Sequence, residues 1–145
     1  MKKIITTLAL MLTLGTGFSF AGEIVNQQTL DAFKSEFAGA TDVTWTIGKS
    51  YYKVAFTIND KRLFGYYDNE GELIAVTRFV SPLQLPHKLQ NGLKKSYKDF
   101  WISDLFEVRN SDEHSYYVTL ENADAKIVLR SVDKTNWRLF EKIEK

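Results

Sequence analysis

The stretch Tyr51-Tyr52-Lys53-Val54-Ala55-Phe56-Thr57-Ile58, followed by Asn59-Asp60-Lys61 and then by Arg62-Leu63-Phe64-Gly65-Tyr66-Tyr67, decides the fold. Side chains along a strand point alternately to its two faces. Tyr52, Val54, Phe56 and Ile58 therefore form one apolar row, and Tyr51, Lys53, Ala55 and Thr57 form the other. Asn59 and Asp60 tolerate the positive φ that a tight hairpin turn requires. The stretch predicts two antiparallel strands joined by a short turn. Phe64 and Tyr66, two residues apart, are expected on the same outer face as Tyr51 and Lys53.

The flanking segments extend the pattern in both directions. Upstream, Thr29 is expected to cap a helix over residues 30–38. Leu30, Phe33 and Phe37 recur at i, i+3 and i+7, one helical face, and Gly39 ends the helix. Residues 42–47, carrying Trp45, read as a strand, and Gly48-Lys49-Ser50 as a turn. Downstream, Asp68-Asn69-Glu70-Gly71 is a second turn and residues 72–80 a further strand. Ser81-Pro82-Leu83-Gln84-Leu85-Pro86 breaks the sheet, and Pro86 suits the first turn of a second helix reaching about Tyr97. Leu85, Leu89, Leu93 and Tyr97, continued by Trp101, recur every fourth residue as its apolar stripe. Four more strands follow, at 102–109, 115–121, 126–132 and 137–143.

The order helix-then-four-strands thus occurs twice. Tyr52-x-Val54-x-Phe56 matches Tyr116-x-Val118-x-Leu120 at a shift of 64 residues, and Phe33 and Phe37 match Tyr97 and Trp101 at the same shift. Asp68 to Gly71 matches Asp133 to Asn136 after a one-residue slip. The fold class expected is α+β, with two tandem helix-plus-antiparallel-sheet repeats, about 29–80 and 85–143, inside a single domain over 22–145. Chance similarity between tyrosine-rich strands is the competing account.

The chain begins Met1-Lys2-Lys3, continues with an apolar run from Ile4 to Leu14, and reaches Ser19-Phe20-Ala21. A basic start, a short apolar run and a small-x-small ending describe a cleavable signal peptide over 1–21, with the cut after Ala21. A membrane span would need about 20 apolar residues. The protein is therefore expected in the periplasm or outside the cell, with no integral membrane segment once the leader is removed. Removing 21 residues from 145 leaves 124, enough for one domain. Losing Lys2 and Lys3 turns 19 basic against 18 acidic residues into 17 against 18, a formal charge of −1. Such a chain has no global electrostatic footprint for nucleic acid. The absence of cysteine means that an oxidising compartment is occupied without disulfides.

The residues also argue against most catalysis. Cysteine nucleophiles and cysteine-ligated metals are excluded by composition. The two histidines, His87 and His114, lie 27 residues apart without the ligand spacing of a zinc site. His114 is expected in a solvated turn, with Asp112 and Glu113 beside it. No Gly-x-Ser-x-Gly elbow occurs, and Ser131-x-x-Lys134 ends a strand rather than lying on a helix. The carboxylate-rich turn Asp68 to Glu72 lacks EF-hand spacing. Lys94 to Trp101 interleaves lysines with aromatics, but reads as a helix whose lysines face water while Tyr97 and Trp101 pack inward. No enzyme activity, cofactor or metal is expected.

Taken in order, Phe33 and Phe37, Val43-x-Trp45, Tyr52-x-Val54-x-Phe56, Asp68-x-x-Gly71, Leu85-Pro86 and Tyr117-x-Thr119 resemble the PepSY-like, beta-lactamase-inhibitor-like periplasmic proteins of Bacteroides-type bacteria. The resemblance covers nearly all of the chain after the leader. It implies tandem helix-plus-sheet units whose sheets can form a concave surface. It carries no catalytic residues, and its name implies protein or peptide binding and inhibition. Two features depart from the pattern: Ala38-Gly39-Ala40 stands in place of a proline-containing turn, and Asp133 to Asn136 lacks a glycine.

The candidate binding residues are Tyr51, Lys53, Phe64, Tyr66 and Tyr116, taken as the outer sheet face. Aromatic rings beside a cation are what protein-binding surfaces use. The alternative is that the chain's own packing covers both faces. The function expected is a non-catalytic binding module for an envelope or secreted protein or peptide. The competing function is a small-molecule or ion-binding protein with its ligand between the repeats.

Overall fold

The structure, a computed structural model, describes residues 24–145. The leader expected over 1–21, with its cleavage site, lies outside the described residues. Among the described residues the fold is α+β, built from two helices and eight strands. In chain order the elements are α1 (Gln27–Glu36), β1 (Thr41–Ile47), β2 (Tyr52–Ile58), β3 (Lys61–Tyr67), β4 (Leu73–Phe79), a 3-10 turn (Pro82–Gln84), α2 (His87–Ser96), β5 (Trp101–Arg109), β6 (His114–Glu121), β7 (Ala125–Ser131) and β8 (Arg138–Glu144). Within each unit the strands lie side by side in chain order. The ladders of β1 with β2, β2 with β3, β5 with β6, β6 with β7, and β7 with β8 are all antiparallel. The chain parts into two compact units between Val76 and Thr77, inside β4.

In the first unit α1 starts earlier than the sequence predicts. Asn26, not Thr29, is its N-cap: Asn26 Oδ1 accepts from the Thr29 amide and the Thr29 hydroxyl, both at 2.8 Å. Asn and Thr both cap well, and the residue whose acceptor meets the third amide wins. Thr29 is instead fully buried in the first turn. The helix closes where the Phe37 amide donates to the Phe33 carbonyl, and Gly39 then takes φ +85°. Phe33 is the hub of the core. Its ring meets Phe56 at 5.1 Å and Trp45 at 5.4 Å, both edge-on, while Phe37 meets Phe56 at 4.6 Å. Such offset and edge-on pairs add to the area they bury. Val54 and Tyr67 complete the buried set, with Tyr52, Ile58 and Leu63 packed at its margin. The row Tyr52, Val54, Phe56, Ile58 thus faces α1. Gly65 pairs with Val54 across the ladder, and a Cβ there would meet Val54 Cγ1 at 3.0 Å, so glycine lets the two strands pack under the helix. The turn residues Asn59 and Asp60 take φ 49° and 59°.

The second unit fills the same kind of core with aliphatic side chains. Leu85, Leu89 and Leu93 from the α2 segment pack on Leu105, Val118, Leu120 and Leu129. Pro86 stands at the N-cap of α2, one residue ahead of the first turn. Trp137 enters from just before β8, and its Nε1 donates to the Leu89 carbonyl at 2.9 Å. A Cβ at Gly92 would lie 3.2 Å from Trp137 Cδ1, so the glycine leaves room for the indole. Trp101 does not continue the α2 stripe. It opens β5 and is 53% exposed, because α2 closes at Tyr97 and the chain turns before reaching it.

Candidate functional site

Four of the five candidate residues come together on the first unit's hairpin. The β2–β3 register pairs Lys53 with Tyr66 and Ala55 with Phe64. These residues alternate with Val54, Phe56 and Gly65, so they share the face turned away from α1. Lys53 Nζ lies 4.9 Å from the Phe64 ring centroid and 5.7 Å from that of Tyr66. A cation over an aromatic face is held by the ring quadrupole. Burial lowers the Lys53 pKa from its usual value. Tyr51 lies 6.1 Å from Tyr66, ring to ring. The position of Tyr51 is set by Gly48, where a Cβ would overlap its ring, and the Gly48 amide donates to the Tyr51 carbonyl at 2.8 Å.

Two candidates need correction. Tyr66 is only 1% exposed, so it is the floor on which Lys53 and Tyr51 rest and not a solvent-facing anchor. Tyr116 belongs to the helix-side core of the second unit with Val118 and Leu120. The reason is parity. Tyr116 corresponds to Tyr52, which faces α1, whereas Tyr117 is the residue at the position of Lys53. The half-buried remainder of the predicted face is Tyr51, Lys53 and Phe64.

Tyr117 builds a second cation–aromatic group. Its ring stacks on Phe106 at 5.4 Å and 8°, meets Phe140 edge-on at 5.4 Å, and carries the Arg130 guanidinium at 5.7 Å. Burial pushes the Tyr117 phenol up to about 12, although Arg130 works against the rise. Tyr117 pairs with Arg130 across β6–β7 just as Lys53 pairs with Tyr66 across β2–β3. Both pairs are related by the shift of 64, with cation and ring exchanged between strands. Arg130 Nη2 is also bonded to Glu113 Oε1 at 2.5 Å.

A third cluster escaped the sequence reading. Glu107, 4% exposed, sits beside Tyr116 in the ladder. Arg78 Nε donates to Glu107 Oε1, His114 Nε2 lies 3.0 Å from Oε2, and Arg109 Nε lies 3.7 Å from Oε1. Burial pushes the Glu107 carboxyl up, but the hydrogen bonds from Arg78 and His114 and the charges of Arg78 and Arg109 outweigh it and hold the pKa below the usual value. His114 is thus not in a solvated turn: it opens β6, opposite Arg109, with its ring 5.1 Å from that of Tyr116. The available signal was Glu107 itself, a lone carboxylate in the run Leu105-Phe106-Glu107-Val108. Among the described residues no group of three or more His, Asp or Glu is placed to hold a metal ion, and no helix is long and apolar enough to cross a membrane.

The fold is that of a known class. A BLIP-like protein from Bacteroides fragilis NCTC 9343 matches with a TM-score of 0.72 at 18% identity, over 86% of this chain and 89% of its own. DUF2874 family proteins from Bacteroides ovatus ATCC 8483 and Bacteroides uniformis ATCC 8492 also match at 0.72. The first is 17% identical over 85% of this chain and 89% of its own, the second 14% identical over 83% and 90%. The resemblance to BLIP-like proteins read from the sequence therefore holds at the level of the fold. No protein-family model and no curated protein matches the chain.

Proposed function

We propose that this is an exported, non-catalytic binding module that holds a protein or peptide on the sheet face of its first unit turned away from α1. The observation that carries the reading is the grouping of Tyr51, Lys53 and Phe64 over Tyr66: a half-buried patch of rings and one cation on a two-stranded scaffold. Rings of this kind supply large contact area with few rotatable bonds, and scaffold strands hold them in place. The BLIP-like fold of a solved neighbour supports protein binding, with inhibition of the bound protein as the form proposed. Export rests on the leader read at 1–21.

The two units are proposed to be tandem repeats. Both helices have ten residues and close in the same way, with Phe37 and Tyr97 as C-caps bonded to Phe33 and Leu93. The matched pairs are therefore Phe33 with Leu93 and Phe37 with Tyr97, offset by 60, whereas β2 and β6 are offset by 64. Asp68 and Asp133 both turn their Oδ1 onto amides of the following residues.

The test is crosslinking capture from the producing cell's envelope fraction, using the full chain secreted with its own leader and tagged at the C-terminus. One protein should be enriched by the wild type and lost from the Tyr51→Ala/Phe64→Ala variant, with a melting temperature within a few degrees of wild type. Capture that survives the double variant would contradict the reading.

A further inference from the structure

We infer that the partner of this face presents a carboxylate: an Asp or Glu side chain, flanked by an apolar residue, that seats on Lys53 between Tyr51 and Phe64. The inference rests on the binding face just proposed, and it names the chemistry that face selects. Two cations lie on the face, Lys53 and Arg62, in register with Tyr66 and Thr57. None of the positions sharing that face in regular register on β1, β2 and β3 is Asp or Glu. The one acidic residue of β1, Asp42, sits in the irregular step between Thr41 and Thr44, at φ 51°.

Arg62 is already occupied. Its Nη1 donates to the Asp42 carbonyl at 2.7 Å and reaches Thr57 Oγ1 at 3.4 Å. Lys53 is not. Among the described residues its ammonium meets ring faces and no carboxylate. An ammonium half withdrawn from water with no counter-ion is costly, and burial already lowers the Lys53 pKa. A carboxylate arriving at Nζ restores what desolvation removed. The second unit shows the same device with its counter-ion built in: Arg130 lies over Tyr117 and is closed off by Glu113 at 2.5 Å. The open cation of the first unit is thus the one with a charge to offer a partner. The half-buried rings beside it supply the apolar contact.

The experiment is selection of displayed random twelve-residue peptides on the secreted full chain, repeated on Lys53→Met, Lys53→Glu and Tyr51→Ala/Phe64→Ala. Lys53→Met keeps an apolar stem over the rings and removes the charge. Peptides selected by the wild type should be enriched in Asp or Glu next to an apolar residue. They should bind Lys53→Met about tenfold more weakly, the scale of one lost charge-assisted hydrogen bond. They should also weaken with added salt, and Lys53→Glu should select Lys or Arg instead. Peptides without acidic enrichment that bind Lys53→Met as well as wild type, yet are lost from the Tyr51/Phe64 variant, would overturn the charge inference and leave the binding face standing. Peptides indifferent to both changes, or no selected peptides at all, would count against the face itself. Anionic phosphatidylglycerol vesicles retained in a Lys53-dependent way, with no peptide selected, would replace the proposed partner with a lipid surface.

Discussion

The two units carry the same layout in different material. In the first, Phe33, Phe37, Trp45, Phe56 and Tyr67 fill the space beneath the helix with rings. In the second, eight buried Leu and Val side chains do most of that work, and Trp137 donates to the Leu89 carbonyl from just before β8. The comparison teaches that the strand and helix pattern sets where the core lies, while its composition is exchangeable so long as the volume is filled. Exchange extends to the far face, where Lys53 over Tyr66 in one unit answers Tyr117 under Arg130 in the other.

The comparison can be broken most forcefully at the cores. Phe33→Ala should cost about 3–5 kcal/mol and Leu89→Ala about 2–5 kcal/mol, read from urea unfolding of each variant. If one of them cost almost nothing, its unit would not have the core described. A smaller effect is expected at Glu107, which has no counterpart in the first unit among the buried residues described there. Glu107→Ala should cost about 3 kcal/mol by leaving Arg78 and His114 without their acceptor.

The pH dependence of that cluster has a definite sign. The Glu107 pKa in the folded protein lies below its ordinary 4.5. The unfolded chain therefore takes up the proton first. The carboxylate's contribution is complete above 4.5 and is lost as pH falls through the lower folded value. Melting temperatures measured from about pH 7 to about pH 3 should drop less steeply in Glu107→Gln than in wild type.

Much of the layout was legible in the sequence for a physical reason. Alternation over residues 51–58 and the stripe Leu85, Leu89, Leu93 each bury one face, and a shift of one residue would expose it. The helix cap was misread because Asn26 and Thr29 both have capping side chains, and only the backbone decides between them. The outer face was legible in the hairpin, where register follows from the two-residue turn. It failed at Tyr116, because the adjacent pair Tyr116-Tyr117 has no parity of its own. Carrying the first hairpin's parity across by 64 residues would have selected Tyr117. Glu107 alone left a signal, as a lone carboxylate in an apolar run; its meeting with Arg78 and His114 was out of reach, since it depends on three strands that no local pattern fixes.

Smaller effects sharpen the contrast between the two cation–aromatic pairs. Arg130→Met strands Glu113, which is partly exposed, and should cost about 1 kcal/mol. Lys53→Met strands nothing and should melt within about two degrees of wild type. Equal losses from the two variants would remove the distinction between a closed cation and an open one. Tyr51→Ala removes a half-buried ring that rests on Tyr66 and should lower the melting temperature by only a few degrees.

The most direct test of the central claim is photo-crosslinking in the producing cell, with benzoylphenylalanine placed in turn at position 51 and at position 83. Leu83 is 83% exposed, lies in the 3-10 turn, and belongs to the second unit. The account predicts a discrete protein adduct from position 51 and none from position 83. An adduct from position 83 alone, or none from either, would contradict it.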